Sequence, residues 1–252
     1  MKAGVTALWR LLRLNIRCLL LQASWNYRQF QGLGWCFVLL PELRRLYPQR
    51  TAQELVADYL KYFNTNTFLA PALAAATVTL EEQRAANDAA PIAAPAFCSA
   101  VMAPFAAVGD ALFWGGWRPL SACVAVVLGW CGYQWAPLLM LALFNVPAVV
   151  TRLGGAWLGW RLGAQLVDLP RRWRLADIAV VLKHIVVVAL AVLCALMVHR
   201  QELPVVPLVA AALMLPLLLA VLVWSLRRGV PVIVALTLLL GLVLATDSLF
   251  FI

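Results

Sequence analysis

The sequence predicts an all-α, polytopic integral membrane protein with interrupted helices and an N-terminal amphipathic interfacial helix. Three observations predict it. Of 252 residues, 64% are apolar and only 12% are charged, whereas soluble domains run near 45–50% and 25%. The mean hydropathy of +0.88 leaves too little polar surface to coat a globule in water. The last third holds apolar runs at Ile178–Val198, Leu203–Trp224 and Val230–Ile252. Each is long enough to cross ~30 Å of hydrocarbon as a helix. An ordinary soluble domain, a disordered chain and a fibrous repeat are excluded.

Read in order, the chain is one domain in three parts. Residues 1–25 resemble a signal peptide, but Arg10, Arg13 and Arg17 interrupt its apolar core. Their spacing of three and four places them on one helical face. This reads as an amphipathic helix in the membrane interface, or equally as a packed helix with a basic flank. Residues 26–167 are mixed. Leu33–Leu40 is too short to span. Thr51-Ala-Gln-Glu54 is a capping box that opens a helix through Phe63, with Leu55, Tyr59 and Tyr62 on one stripe. Asn64-Thr65-Asn66-Thr67 follows, then a small-residue helix over Pro71–Asn87 with the polar end Glu81-Glu82-Gln83-Arg84. A loop runs to Pro95.

From Ala96 the chain turns apolar. Pro104 and Gly109-Asp110 are expected to break its first segment, and Trp114–Pro119 to form a turn. Leu120–Val150 is interrupted by Gly132, Gln134, Pro137 and Pro147. Thr151–Val167 carries Arg152 and Arg161 among small residues. Residues 168–252 open with the basic cluster Arg171-Arg172-Trp173-Arg174, then supply the three spans.

The net charge of +9 is mostly arginine and sits between apolar runs, so it reads as topology rather than nucleic-acid binding. Arg171–Arg174 and Arg227-Arg228 lie two spans apart, hence on one side, and that side is expected to be cytoplasmic. The C-terminus is then periplasmic, and the amphipathic N-terminal helix is expected on the cytoplasmic side. The six cysteines form no CxxC pair, and only His184 and His199 are present. The cysteines read as apolar filler, and no metal or cofactor is expected.

Two polar places fall in the interrupted region, where irregular backbone is tolerated only against protein or a wet cavity. At Asn64-Thr65-Asn66-Thr67, amides and hydroxyls offer donors and acceptors suited to a neutral polyol. The same residues also suit a helix C-terminus with orphan carbonyls. At Gly109-Asp110, an intramembrane carboxylate is a functional candidate, either bonding a ligand or capping a broken helix. Arg152 and Arg161 call for a carboxylate or helix-end carbonyls, with Glu81 and Glu82 as possible partners. Alternatively, Glu81-Glu82 is a solvated helix end. There is no GxSxG, HExxH, GxxxxGK[ST] or GxGxxG pattern, so no catalytic set is expected. A membrane enzyme acting on a lipid-linked substrate has no residues to support it.

Several blocks then fall in a familiar order: Gln22-Ala-Ser-Trp-Asn-Tyr27, Gly34, Pro41, Leu46-Tyr47, Phe63-Asn-Thr65, Leu80-Glu-Glu82, Met102-Ala-Pro104, Gly109-Asp-Ala-Leu-Phe-Trp114, Arg118-Pro119, Phe144-Asn145, Arg152, Gly159 and Gly163. With them the chain resembles the enzyme IID component of the mannose/fructose/sorbose family of bacterial phosphotransferase systems (PTS), over nearly its whole length. The resemblance implies a non-catalytic permease subunit of the inner membrane. It would pair with a IIC subunit, typically as a trimer of IIC–IID pairs. A soluble IIB subunit, charged from IIA, would phosphorylate the sugar. Translocation in the family looks like an elevator, which the small-residue region 70–112 suits.

On this reading Asn64, Thr65, Asn66 and Asp110 contact sugar. Gly109, Trp114, Arg118, Glu81, Glu82 and Arg152 support or gate the site. Apart from an unusually Ala/Pro-rich loop at 88–95, the chain departs from the family in three places. Asn66-Thr67 stands where His-Pro is usual, Ala103 and Ala107 stand where glycine is usual, and Cys98 lies near a usual basic residue. A regulatory or docking protein derived from the family is the rival expectation.

Overall fold

A computed structural model describes residues 2–86 and 91–200, with further positions between 216 and 237. They fall into two compact units, Met1–Leu193 and Cys194–Ile252. Among the described residues the first unit is helical, and β pairing is confined to isolated bridges at Asn26, Phe30 and Phe63.

Helix α1 (Lys2–Cys18) carries its arginines where their spacing places them. It buries Leu14 and Cys18 and leaves Leu8, Trp9 and Ile16 exposed. It therefore packs on one side and offers an apolar edge on another. Helix α2 (Gly32–Leu46) runs through Pro41 without breaking. A proline inside a helix strips the carbonyl four residues back of its donor. That carbonyl belongs to Phe37, and the Arg17 guanidinium donates to it at 2.9 and 2.5 Å while stacking over the Phe37 ring.

The capping box forms as expected. The Glu54 amide donates to Thr51 Oγ1, and the Thr51 amide to Glu54 Oε2. The helix it opens, α3 (Ala52–Ala57), stops well short of Phe63. The reason is tertiary. The Gln31 amide donates to the Phe63 carbonyl and the Phe63 amide to the Gln29 carbonyl, at 2.9 and 3.2 Å. The backbone there is committed to a neighbouring loop and cannot serve a helix.

Helix α4 (Ala70–Ala85) is the centre of the unit and is buried along most of its length. Its alanines admit close neighbours. Against it lies α7 (Ala136–Leu162). A Cβ at Gly159 would sit 2.0 Å from the Ala72 carbonyl oxygen, and one at Gly155 would sit 3.3 Å from Ala72 Cβ. Gly155 and Gly159 are spaced as in the GxxxG contacts by which membrane helices approach backbone to backbone.

The structure corrects the expected breaks. Helix α5 (Ala94–Leu112) passes through Pro104 and Gly109-Asp110. The expected turn at Trp114–Pro119 is instead a π-helical stretch, Phe113–Trp117, leading directly into α6 (Arg118–Trp130). The expected interruption at Gly132 does form, between α6 and α7, where φ is +92°. Helix α7 continues through Pro147. The carbonyl that Pro147 strips is Leu143's, and the Trp117 indole N–H donates to it at 2.6 Å. A short 3₁₀ stretch (Gly163–Asp168), α8 (Leu169–Arg172) and α9 (Leu175–Arg200), as far as Leu193, complete the unit. Helix α9 contains the expected run Ile178–Val198.

Among the described residues three helices are long and apolar enough to cross a membrane: Ala94–Trp130, Ala136–Arg172 and Leu175–Met197. The expected spans Leu203–Trp224 and Val230–Ile252 lie outside the described residues apart from scattered positions. In the second unit, the Arg228 amide donates to the Trp224 carbonyl and its guanidinium lies over the Trp224 ring. Gly229 follows at φ +83°.

Candidate functional site

The segment Asn64–Thr67 joins the end of the α3 region to α4 and docks near the C-terminal end of α5. Its conformation is set from four sides. Trp35 of α2, almost fully buried, stacks on Phe63 with ring centres 4.0 Å apart. The buried Gln31 side chain pairs with Thr65 as a strand neighbour would. Its Nε2 donates to the Thr65 carbonyl and its Oε1 accepts from the Thr65 amide, both at 2.9 Å. Arg152 of α7 donates to the Thr67 carbonyl at 3.0 Å and to the Cys18 carbonyl at 3.3 Å. The second contact places a cation at the last residue of α1, where the helix dipole favours one.

The fourth side is α5. Asn66 Nδ2 donates to Asp110 Oδ1 at 2.8 Å, while Asn66 Oδ1 accepts from the Phe68 amide at 2.9 Å. Gly109 makes this approach possible, because a Cβ there would lie 2.4 Å from Asn66 Cβ. Asp110 therefore bonds a side-chain amide rather than capping a broken helix. Asn66 and Thr65 are buried, Asn64 is half-buried and Asp110 is exposed. Among the described residues the Asn64 side chain has no hydrogen-bond partner, and the Thr65 hydroxyl is buried without one. The open polar capacity of the site thus belongs to Asn64, to the Thr65 hydroxyl and to the second Asp110 oxygen.

An aromatic group borders this polar segment. Phe68 lies against Phe113, Trp114 and Phe144 with ring centres 4.5, 5.4 and 5.7 Å away. The Arg118 guanidinium sits over Trp114 at 5.5 Å, and that of Arg152 sits over Phe68 at 5.7 Å. Trp114 itself is exposed. Polar amides beside aromatic faces suit an uncharged polyhydroxyl ligand, whose C–H faces stack while its hydroxyls bond.

Glu81 and Glu82 lie elsewhere, and neither pairs with Arg152 or Arg161. The Arg161 guanidinium lies over Trp157 at 4.6 Å. Nor is the pair a solvated helix end. Glu81 is buried and accepts from the Tyr47 hydroxyl at 2.7 Å and the Tyr59 hydroxyl at 2.5 Å. Burial, then the bond to Glu81, pushes both phenols up, Tyr47 to about 12. Glu82 joins a closed ring. Arg10 donates to Glu42 at 2.9 Å and to Glu82 at 2.5 Å, and Arg45 to the same two at 3.0 and 2.5 Å. The ring ties α1, α2 and α4 together. Four of the cysteines are buried and all six are free.

Sequence reasoning missed Gln31, which stands 34 residues before Thr65 with no spacing that connects them. It also missed Phe68, which reads as ordinary apolar sequence after Thr67.

The profile described as "PTS system mannose/fructose/sorbose family IID component" matches residues 9–250. The mannose-specific EIID component of Escherichia coli K12 is 37% identical over 157 residues, covering 60% of this chain and 55% of that protein. The sorbose-specific EIID component of Klebsiella pneumoniae is 34% identical over 160 residues, covering 63% and 58%. The chain thus spans little more than half the length of the curated relatives it matches. Among solved structures, one chain of the cryo-EM complex of mannose transporter ManYZ with microcin E492 superposes with a TM-score of 0.56 at 27% identity. The match covers 95% of this chain and 94% of that one. A second, described as a membrane protein, superposes with a TM-score of 0.69 at 27% identity, covering 95% and 96%.

Proposed function

The chain belongs to the mannose/fructose/sorbose family of PTS IID components, and from that premise we propose that it is the IID subunit of a sugar permease in the bacterial inner membrane. It pairs with a IIC subunit, as a trimer of IIC–IID pairs, to move a hexose of the mannose, fructose or sorbose type. A IIB subunit charged from IIA phosphorylates the sugar, so this chain carries out no chemistry itself. The arginine pattern sets the N-terminus and the Arg171–Arg174 turn on the cytoplasmic side and the C-terminus on the periplasmic side.

One observation carries the reading. Asp110 stands in the middle of an apolar span, exposed on this chain, with one oxygen holding Asn66 and the other open. A carboxylate at that depth faces water or a polar partner, which a sugar pathway between two subunits supplies. Asn64 and Asp110 bond the sugar hydroxyls. Thr65 and Asn66 shape the segment that presents Asn64, and the Phe68–Trp114 aromatic group flanks it. Arg152 and Gly109 hold the segment in place, Arg118 backs Trp114, and Glu81 and Glu82 brace the helices behind.

The test is sugar uptake in cells co-expressing the chain with IIA, IIB and IIC partners. Asn64→Ala is expected to abolish uptake while the IIC complex still assembles, and normal uptake would remove Asn64 from the site. Asp110→Asn keeps an oxygen for the Asn66 amide but loses the charge. It is expected to leave expression intact and impair transport. Unchanged transport would reduce Asp110 to a loop anchor.

A further inference from the structure

A cavity of about 560 Å³ opens among α4, α5, α7, α8 and α9; Phe113 of the aromatic group lines it, while Asn64, Thr65, Asn66 and Asp110 do not. Its walls are apolar, built from residues such as Phe105, Val150, Leu158 and Ile178, with Thr151 among them. A second groove of about 460 Å³ runs along α9, lined by Val181 and Ile185 and by the charged pair Arg174 and Asp177, and the two share Trp173, Ile178 and Leu182. Two mainly apolar grooves therefore meet along Trp173, Ile178 and Leu182, and Trp173 is the aromatic residue among the three.

That residue lies in the turn between two apolar spans, which end at Arg172 and begin again at Leu175. The turn marks the level of the lipid head groups. Arg171, Arg172 and Arg174 are exposed there beside Trp173. Arg172 faces Asp168 at 3.7 Å and Arg174 bonds Asp177 at 2.6 Å, while Arg171 has no ion pair among the described residues. The turn also delivers the free first-turn amides of α9, a helix N-terminus that favours anions. From Leu175 to Ile185, the deepest α9 residue of the grooves, the helix rises ~15 Å, which is half of a ~30 Å hydrocarbon core.

We propose that this region seats one anionic phospholipid, its phosphate at Arg171, Arg174 and the start of α9, and its two acyl chains in the two grooves. The apolar walls match acyl chains in chemistry and in depth, one leaflet long. The unpaired guanidinium and the helix N-terminus match a head group with net negative charge. A zwitterionic lipid would satisfy the grooves without answering the charge at their mouth. The seat joins α9 to α5 and α7, so an occupied seat fills space between spans that side chains leave open.

The full-length chain, purified in mild detergent and returned to nanodiscs of phosphatidylglycerol, phosphatidylcholine or a mixture, permits the test by native mass spectrometry. One phosphatidylglycerol per chain is expected to survive, preferred ~10-fold or more over phosphatidylcholine. Two variants separate head from tails. Arg171→Gln with Arg174→Gln removes the preference. Gly154→Phe displaces the lipid, because Gly154 lines the larger cavity and a Cβ there meets no atom within 4 Å. Should Gly154→Phe fail to fold, the arginine pair carries the test alone. Equal retention of the two lipids would overturn the proposal, as would undiminished retention in both variants. So would efficient cross-linking of a Gly154→Cys variant to a second protein, which would make this face a subunit contact.

Discussion

Gly109→Ala puts the site's architecture at risk with a single methyl group. The new Cβ would lie 2.4 Å from Asn66 Cβ, 2.5 Å from its Cγ and 3.0 Å from its Oδ1. Carbon atoms in contact sit ~3.5–4.0 Å apart, so the Asn66 segment must retreat by ~1 Å or more. The Asn66–Asp110 bond, 2.8 Å long, would then stretch to roughly 3.8 Å, past useful hydrogen-bond range. Relief by rotamer is closed, because the nearest clash is with the first side-chain carbon. Overpacking of this kind costs about 1–3 kcal/mol, while alanine in place of helical glycine returns up to ~1 kcal/mol. The net stability change is small. The functional change is not, since a ~1 Å misplacement of positioned groups costs on the order of a hundredfold.

Uptake of labelled sugar, normalised to membrane-inserted protein, is the assay, with thermal melting alongside. Gly154→Ala is the control, since its Cβ meets no atom within 4 Å, and uptake by that variant should stay at wild-type level. Wild-type uptake by Gly109→Ala would refute the argument that Asn66 must touch α5.

Two further predictions concern the frame behind the site. Glu42 holds both arginines of the four-membered ring with its side chain 4% exposed, so Glu42→Ala leaves two cations sharing Glu82 alone. A loss of about 2–3 kcal/mol is expected, below the range for a fully buried pair because Arg10 and Arg45 are partly solvated. Thermal melts of the single variant and of its double with Arg10→Ala should be non-additive. The phenols on Glu81 make a pH prediction. Their folded pKa values lie above the unfolded value near 10, so the stability they contribute is intact below pH ~10. It is lost as pH rises through the folded value of about 12 for Tyr47. Melting temperature should fall across that window, and a Tyr47→Phe, Tyr59→Phe double variant should flatten the fall.

Local signals in the sequence were legible where the chain answers to local chemistry. Thr51 and Glu54 are three residues apart and cap a helix without outside help. The arginine face of α1 and the long apolar run of α9 follow from periodicity and hydropathy alone. Asn64–Asn66 and Asp110 stood out because amides and a carboxylate are conspicuous among apolar residues. Their contact did not, because 44 residues separate Asn66 from Asp110 and no pattern in either segment refers to the other. The helix expected through Phe63 failed for the same reason, since the Gln29–Gln31 loop that takes its hydrogen bonds is distant in the chain.

Composition and periodicity by themselves determined that this protein is helical and lives in a bilayer, because those properties depend on residue types summed over a window. Which irregularities survive was a tertiary matter. Pro147 reads as a break, yet α7 runs through it, as α2 runs through Pro41. The carbonyls that Pro41 and Pro147 strip are met by Arg17 and by the Trp117 indole, each from another helix. A freed carbonyl in an apolar setting must find a donor or the helix must end. The donor's identity is a fact of packing, and so is the glycine at 109 that lets a polar loop reach a carboxylate in the middle of a span.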